Sequence, residues 1–290
     1  MVNCIKMESN TVSNTGDHPR LSFGKRLYSF FRKKNQGLGN GPSGAINGSL
    51  TVGSLTDVFM AMERTMNFGK NSVLLDLGAG VGKVLFHAAV MFDVQTIIGI
   101  EVEKYRWWTS MFFLEQFLQP ATMNSLGIPE YAGKILLLHI DMTSTQLKHF
   151  NGVSHIFWFD TGMPPRVKDK VAATANNSVG PLYLVCTLNE RMFRDVFEFK
   201  GVQLFGPMNV NMTISSEGKQ LYGYKIECAK ESNRTKVTFL HRKYNRPHHH
   251  DLEPSPGGLK SVNYDELRTL VNTSEGVQSR TYRAKLKNEV

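Results

Sequence analysis

The sequence predicts an α/β fold, a seven-stranded, mostly parallel sheet with helices on both faces and an antiparallel hairpin at one edge. Three observations lead there. The apolar run Leu74-Leu75-Asp76-Leu77 breaks into Gly78-Ala79-Gly80-Val81-Gly82-Lys83. Behind it, Val84, Leu85, Ala88, Ala89 and Phe92 recur at the spacing of one helix face. A second apolar run, Thr96 to Ile100, ends in Glu101, twenty-five residues after Asp76, which leaves room for one crossover helix between two parallel strands.

The elements follow in order along the 290 residues, whose 41% hydrophobic content is enough for one sizeable core. Residues 1–46 read as a basic, flexible N-terminal segment, 47–242 as the folded domain, and 243–290 as a polar, mildly basic tail. The net charge of +9 resides in the ends: residues 1–36 carry seven Lys/Arg against two Asp/Glu, residues 241–290 nine against six, and the middle is left with eighteen against seventeen. Arg20, Lys25, Arg26, Arg32, Lys33 and Lys34, interleaved with Phe23, Tyr28, Phe30 and Phe31, suit a nucleic-acid backbone. They equally suit a lead-in helix that packs its aromatics on the domain. A Gly/Asn/Ser-rich connection over 35–53 precedes an amphipathic helix marked by Leu55, Val58, Phe59, Met62 and Met66, with Ser54 or Thr56 as its cap and Gly69 as its stop.

The glycine turn is built to hold a small ligand, and its frame excludes two ligand classes. A phosphate-cradling loop requires glycine where Leu77 stands and a hydroxyl where Val84 stands. A dinucleotide fingerprint requires its third glycine at the position of Lys83. What remains is an acid at a strand end followed by three alternating glycines, a pattern that resembles the first motif of class I methyltransferases, which bind S-adenosylmethionine. Glu101, at the tip of the second strand, offers two acceptor oxygens to the two hydroxyls of a ribose. A third strand, Ile135 to Ile140, leads to Asp141-Met142, where the resemblance implies a grip on adenine; Asp141 is also a good helix cap before Thr143. The cofactor set is therefore Leu75, Asp76, Gly78, Ala79, Gly80, Val81, Gly82, Lys83, Glu101, Asp141 and Met142. His87 and His139 lie in apolar runs and read as packed side chains.

A fourth strand, Ser154 to Phe159, ends in Asp160 and is followed by a helix to about Ala175. Leu182 to Cys186 forms a fifth, and segments around Val202–Phe205, Leu221–Ile226 and Lys236–Leu240 supply the hairpin, so that the fold closes near Arg242. Beyond it, Pro and Gly punctuate the chain, and His248-His249-His250 reads as tail rather than as a metal site. Three scattered cysteines, Cys4, Cys186 and Cys228, fit neither a zinc site nor a disulfide framework and suit a reducing compartment. No signal-like or membrane-spanning run is present, so a soluble, monomeric intracellular protein is expected.

Asp76 to Val84 resembles the Asp-Leu-Gly-Ser-Gly-Val-Gly-Gln-Val loop of the disruptor-of-telomeric-silencing family, which methylates a lysine on the globular face of histone H3 without a SET domain. Ile98-Gly99-Ile100-Glu101 is similar to its Tyr-Gly-Val-Glu, and Gly218-Lys219 with Tyr222 and Tyr224 to its Gly-Lys hairpin. The resemblance covers roughly Gly53 to Leu240. Val52-Gly53-Ser54 stands where that family has Tyr-Gly-Glu, and Phe159-Asp160-Thr161 where it has Asn-Asn-Phe.

The resemblance implies a class I, Rossmann-like S-adenosylmethionine-dependent methyltransferase acting on a histone H3 lysine in nucleosomes, in the nucleus, with DNA held by the basic N-terminal segment. It places the fourth strand's end at the methyl group, so Asp160 is expected to orient the amine, with Phe159, Tyr222 and Tyr224 as its aromatic channel. On that expectation Asp160→Ala abolishes transfer and spares cofactor binding. Two alternatives stay open: an RNA or DNA methyltransferase of the same fold, and a non-catalytic chromatin or nucleic-acid module on this scaffold.

Overall fold

The computed structural model describes residues 19–34, 49–127, 131, 133–145, 147–213 and 218–228. In chain order the helices are α1 (Pro19–Lys34), α2 (Val52–Met66), α3 (Lys83–Phe92), α4 (Lys104–Phe117), α5 (Pro120–Leu126) and α6 (Pro165–Asn176). The strands are β1 (Val73–Leu77), β2 (Thr96–Glu101), β3 (Lys134–His139), β4 (His155–Trp158), β5 (Leu182–Cys186), β6 (Gly201–Val210) and β7 (Lys219–Ile226). They form one sheet in the order β3-β2-β1-β4-β5-β7-β6. β1 to β5 run parallel, while β7 is antiparallel to β5 and β6 to β7. The expected sheet is thus present, with its antiparallel hairpin at one edge.

Strand residues alternate between two cores, as the period of two requires. Leu74, Ile97, Leu137 and Phe157 join the core beneath α1 to α4, whereas Leu75, Ile98, Leu138 and Ile156 join the one beneath α6. Asp76 therefore shares the face of Leu74, and in register it lies between Gly99 of β2 and Phe157 of β4. A side chain at Gly99 would strike Leu85 and Ala79, so this bare position lets α3 and the glycine turn sit close on the sheet.

Several boundaries differ from the sequence reading. The N-cap of α2 is Thr51, whose hydroxyl accepts the amide of Ser54, and its last turn ends at Asn67 in the left-handed region rather than at Gly69. The segment 1–46 is not wholly a flexible lead-in: α1 buries Leu27 and Tyr28 against the domain, and Gly24 sits against Val52 and Met91. The physical reason is its apolar face, which is long enough to pack on α3 and α2. Arg26 spends its guanidinium on the carbonyls of Leu126 and Gly127 at the end of α5, where a cation satisfies orphaned acceptors. The last described strand stops at Ile226, and Cys4, Lys236–Leu240, His248 to His250 and the tail 243–290 lie outside the described residues. No helix among the described residues is long and apolar enough to cross a membrane.

α4 and α5, between β2 and β3, have no counterpart in the sequence reading. α4 is apolar on more than one side: Trp107, Met111, Leu114 and Phe117 are buried, while Tyr105, Trp108 and Phe112 are exposed. His139, expected to be packed, is instead exposed at the end of β3, bonded to the carbonyl of Val102 and stacked on Trp107.

His87 is fully buried among Tyr28, Phe59 and Phe92, with Nε2 3.2 Å from the hydroxyl of Thr56. Burial pushes it down to about 3, and His155, bonded to the carbonyl of Met66, down to about 4. A base whose folded pKa lies below its unfolded value of about 6.5 takes up its proton only on unfolding, so stability falls as the pH drops from 6.5 toward 4. Each histidine is expected to remove about 2 kcal/mol between pH 7 and pH 5. Thermal melts across that range test this; a His87→Gln variant with an unchanged acid slope would exclude His87 as a source.

Candidate functional site

A cavity of about 1020 Å³ opens at the carboxyl ends of β1 to β4, where open α/β sheets place their ligands. Its floor is the glycine turn. Gly78, Gly80 and Gly82 all adopt left-handed backbone, with φ of 83°, 57° and 84°. The amides of Gly78 and Ala79 both donate to the carbonyl of Ile100, 2.9 Å away, which ties the turn to the end of β2. At Gly78 the left-handed backbone favours glycine, and a Cβ there would also press on the end of the Met163 side chain, so backbone lines the cavity here.

Glu101 is buried, and its two oxygens accept the amides of Gly80 and Glu103, each at 2.8 Å. It thus fixes the turn and still presents further lone pairs to the cavity it lines. Asp76 is buried beside it, and among the described residues its Oδ2 has no hydrogen-bond partner. Burial, and secondarily the charge of Glu101, hold the Asp76 carboxyl well above the usual carboxylate range. A buried acceptor without a donor is costly, and in a cavity wall it marks where a ligand's donor fits.

The strand end after β3 brings Asp141 and Met142 to the same cavity. Asp141 is exposed and accepts both the amide and the hydroxyl of Thr143 at 2.7 Å, so it closes a turn rather than capping a helix. Lys83 reaches Ser49 at 2.8 Å and lies over the ring of Tyr28. Of the cofactor set, Asp76, Gly78, Ala79, Gly80, Val81, Lys83, Glu101, Asp141 and Met142 line the cavity. Leu75 and Gly82 do not. Leu75 points into the opposite core beneath α6, because it sits one residue out of phase with Asp76. Gly82 caps α3 with its backbone and faces Phe86.

The predicted catalytic cluster does not assemble. Asp160 is fully buried, with Oδ2 2.6 Å from Lys168 and Oδ1 accepting the amide and hydroxyl of Thr187 at 2.7 Å. It locks α6 to the end of β5 and does not line the cavity. Tyr224 stacks on Phe193 at 3.7 Å and donates to the carbonyl of Leu188, which makes it a core residue. Tyr222 donates to Gln220 and borders a second, smaller depression. Phe159 alone of the four lines the main cavity.

One wall of the cavity has no counterpart in the predicted site residues. Ser49, Leu50 and Thr51 pair with the end of β6: Thr51 donates to Asn211 and Thr213 to Ser49, at 2.9 and 2.8 Å, with Leu50 bridging Met212. This strap, with Met163, Pro164, Arg166 and Val167 from the start of α6, encloses the site. The signal was faint, since Ser49 and Thr51 sit in a stretch whose composition reads as linker. Carboxylates (Asp76, Glu101, Glu103, Asp141) and cations (Lys25, Lys83, Arg106, Arg166) both line the cavity, a balance suited to a ligand carrying both signs. No cluster of potential metal ligands exists among the described residues.

Comparison with known proteins finds a partial match to one family model and loose likenesses to solved structures. The family model for the histone methylation protein DOT1 matches residues 43–121. No curated protein matches the chain. A putative RNA methyltransferase from Pyrococcus horikoshii is 14% identical over 63% of this chain and 85% of its own, with a TM-score of 0.40. Precorrin-6y C5,15-methyltransferase from Geobacter metallireducens is 13% identical over 60% and 88%, with a TM-score of 0.36. The YcgJ protein from Bacillus is 16% identical with a TM-score of 0.32, and the match spans 47% of this chain and about half, 51%, of that one. These likenesses are loose, and the character of the site rests on its own residues.

Proposed function

We propose that this divergent class I methyltransferase, which resembles the DOT1 family and takes its methyl from S-adenosylmethionine, methylates a lysine amine on the core of histone H3 in nucleosomes. The acceptor rests on the match of residues 43–121 to a histone methylation family. The methyl donor rests on one observation above the others, an Oδ2 of Asp76 with no hydrogen-bond partner among the described residues, above a glycine turn in a cavity of mixed charge.

The residues fit the cofactor. Asp76 would take its ammonium group, Glu101 the ribose hydroxyls, and Asp141 with Met142 the adenine, since all four line the cavity. When bound, the cofactor supplies a methyl already activated by a sulfonium, so the protein has to align a nucleophile and exclude water. Phe159, with Phe157, Met163 and Val167, gives the cavity an apolar side. An amine drawn against it loses solvent, which lowers its pKa from about 10.4 and frees its lone pair. With Asp160 spent on Lys168, the ammonium gives its proton to solvent water as it enters the cavity, and the neutral amine is the nucleophile. The basic N-terminal segment supplies the contact to nucleosomal DNA in this reading; within it Lys25 lines the cavity and Arg26 is held at the end of α5, and the side chains of Arg20, Arg32, Lys33 and Lys34 lie outside the described residues. The setting is the nucleus, and the protein acts as a monomer.

Radiolabelled cofactor offered with nucleosomes, free histones and RNA in parallel tests the reading. Label on H3 in nucleosomes is expected. Label on RNA alone would replace the lysine acceptor with a nucleic acid, and no label anywhere, with no cofactor bound in calorimetry, would reduce the fold to a scaffold.

A further inference from the structure

We infer that Met163, its sulfur pinned by the indole of Trp158, seats the sulfonium centre of the methyl donor and so sets the position of the methyl group. The inference rests on the cofactor and is independent of the acceptor.

The covalent structure of the cofactor says where its sulfur must lie. That atom links the amino-acid chain, whose ammonium Asp76 would take, to the ribose, whose hydroxyls Glu101 would take. Asp76 and Glu101 stand near the ends of adjacent strands, β1 and β2. The turn Gly78-Ala79-Gly80 lies between them, tied to the carbonyl of Ile100 through Gly78 and Ala79 and to Glu101 through the amide of Gly80. The sulfonium therefore belongs over this turn.

Two methionine methyls converge on the same spot. A Cβ built on Gly78 would lie 2.9 Å from Cε of Met163 and 4.0 Å from Cε of Met142, and both residues line the cavity. Met142 is held by burial in the core beneath α6. Met163 is only half-buried, and a methionine in a cavity wall is loose by default, because its side chain is unbranched and turns about three bonds. Here it is fastened at both ends. Its amide donates to the carbonyl of Asp160 at 3.0 Å, and its sulfur accepts the indole N–H of the fully buried Trp158 at 3.0 Å. That N–H is the one donor an indole has.

A thioether suits the place chemically. A cation against the sulfonium would repel it. A carboxylate in contact would stabilise the bound cofactor more than the transition state, in which the sulfur is losing its positive charge. A neutral, polarisable neighbour does neither. Trp158 acts only through Met163 and is a positioning residue.

The test uses the full chain labelled with methyl-13C methionine, which gives one methyl signal per residue, thirteen at most. Met163→Leu and Met142→Leu assign the two signals by their loss, and calorimetry reports cofactor affinity. S-adenosylmethionine is expected to shift the Met163 signal, and S-adenosylhomocysteine, which lacks both the charge and the methyl, to shift it to a different position. Trp158→Phe is expected to move and broaden the Met163 signal in the free protein and to leave that of Met142 in place. Met163→Ala should weaken S-adenosylmethionine about tenfold, the worth of about two apolar groups, and S-adenosylhomocysteine about fourfold, the worth of one. A Met163 signal that is unmoved, or that moves alike with either bound ligand, would overturn the inference. A Met163 signal indifferent to Trp158→Phe would overturn the role of the indole; if that variant does not fold, the comparison of the two ligands on the wild type decides. No heat with either ligand would overturn the cofactor assignment and the seat with it. A responsive Met163 in a protein that labels RNA would uphold the seat and count against the histone acceptor alone.

Discussion

Replacing Asp76 by Asn is expected to weaken binding of S-adenosylmethionine on the order of 100-fold, the worth of one charge-assisted contact in a buried site, while the free protein melts at the same temperature or higher. The two halves have one cause. Among the described residues no donor reaches the buried Oδ2 of Asp76, and burial, then the charge of Glu101, raises its pKa well above the ordinary value. An acid whose folded pKa is raised binds protons more readily folded than unfolded, so the free protein loses stability as the pH rises from about 4 through the folded value. Asparagine removes that loss. A cationic ligand relieves the same group by stabilising its ionised form, so binding releases a proton and affinity climbs with pH until the free carboxyl has ionised. Calorimetry in buffers of different ionisation enthalpy measures the proton directly. Equal affinity in Asp76→Asn, or binding without proton release, would remove Asp76 from the cofactor site.

Asp76 was legible because strand, turn and helix are local events: an apolar run, glycines able to take left-handed backbone, and a stripe at helical spacing announce themselves within a dozen residues. Glu101 followed from the same logic one strand later. The strap from Ser49 to Thr51 was not legible, because it is held by hydrogen bonds to residues 211 and 213 on the far side of the chain, and no local pattern encodes such a pairing. α4 escaped for a different reason. Trp107, Met111 and Leu114 are buried but Tyr105, Trp108 and Phe112 are exposed, so the segment has apolar residues on several sides and no period to detect. Tyr222 and Tyr224 illustrate a third failure. Two residues apart on a strand, they share a face, and that face is the core beneath α6; alternation gave the pairing but not the side of the sheet.

Asp160 shows how a strand-end acid can be misplaced, and the error makes the second prediction. Its partner Lys168 lies eight residues on, inside α6, and only the fold brings the two to 2.6 Å with Asp160 at 0% exposure and Lys168 at 15%. Lys168→Met leaves the carboxylate buried with only Thr187 for a partner, and removing one member of a buried pair costs about 3–5 kcal/mol. Asp160→Ala instead strands the ammonium, which can turn partly to water and to the ring of Phe197, so its cost is the smaller of the two. Met in place of Lys168 together with Leu in place of Asp160 should recover part of the loss, since an apolar pair carries no desolvation penalty. Denaturant titration of the two single variants and the double variant measures the coupling. The outcome also separates the two roles open to Asp160. As a fastener it takes down stability, and with it both cofactor binding and transfer, in proportion to the unfolded fraction. Were it a catalytic group, Asp160→Ala would melt like the wild type and bind S-adenosylmethionine normally while transferring nothing; that result would move Asp160 back to the reacting centre and require the cavity to open toward it when the acceptor binds.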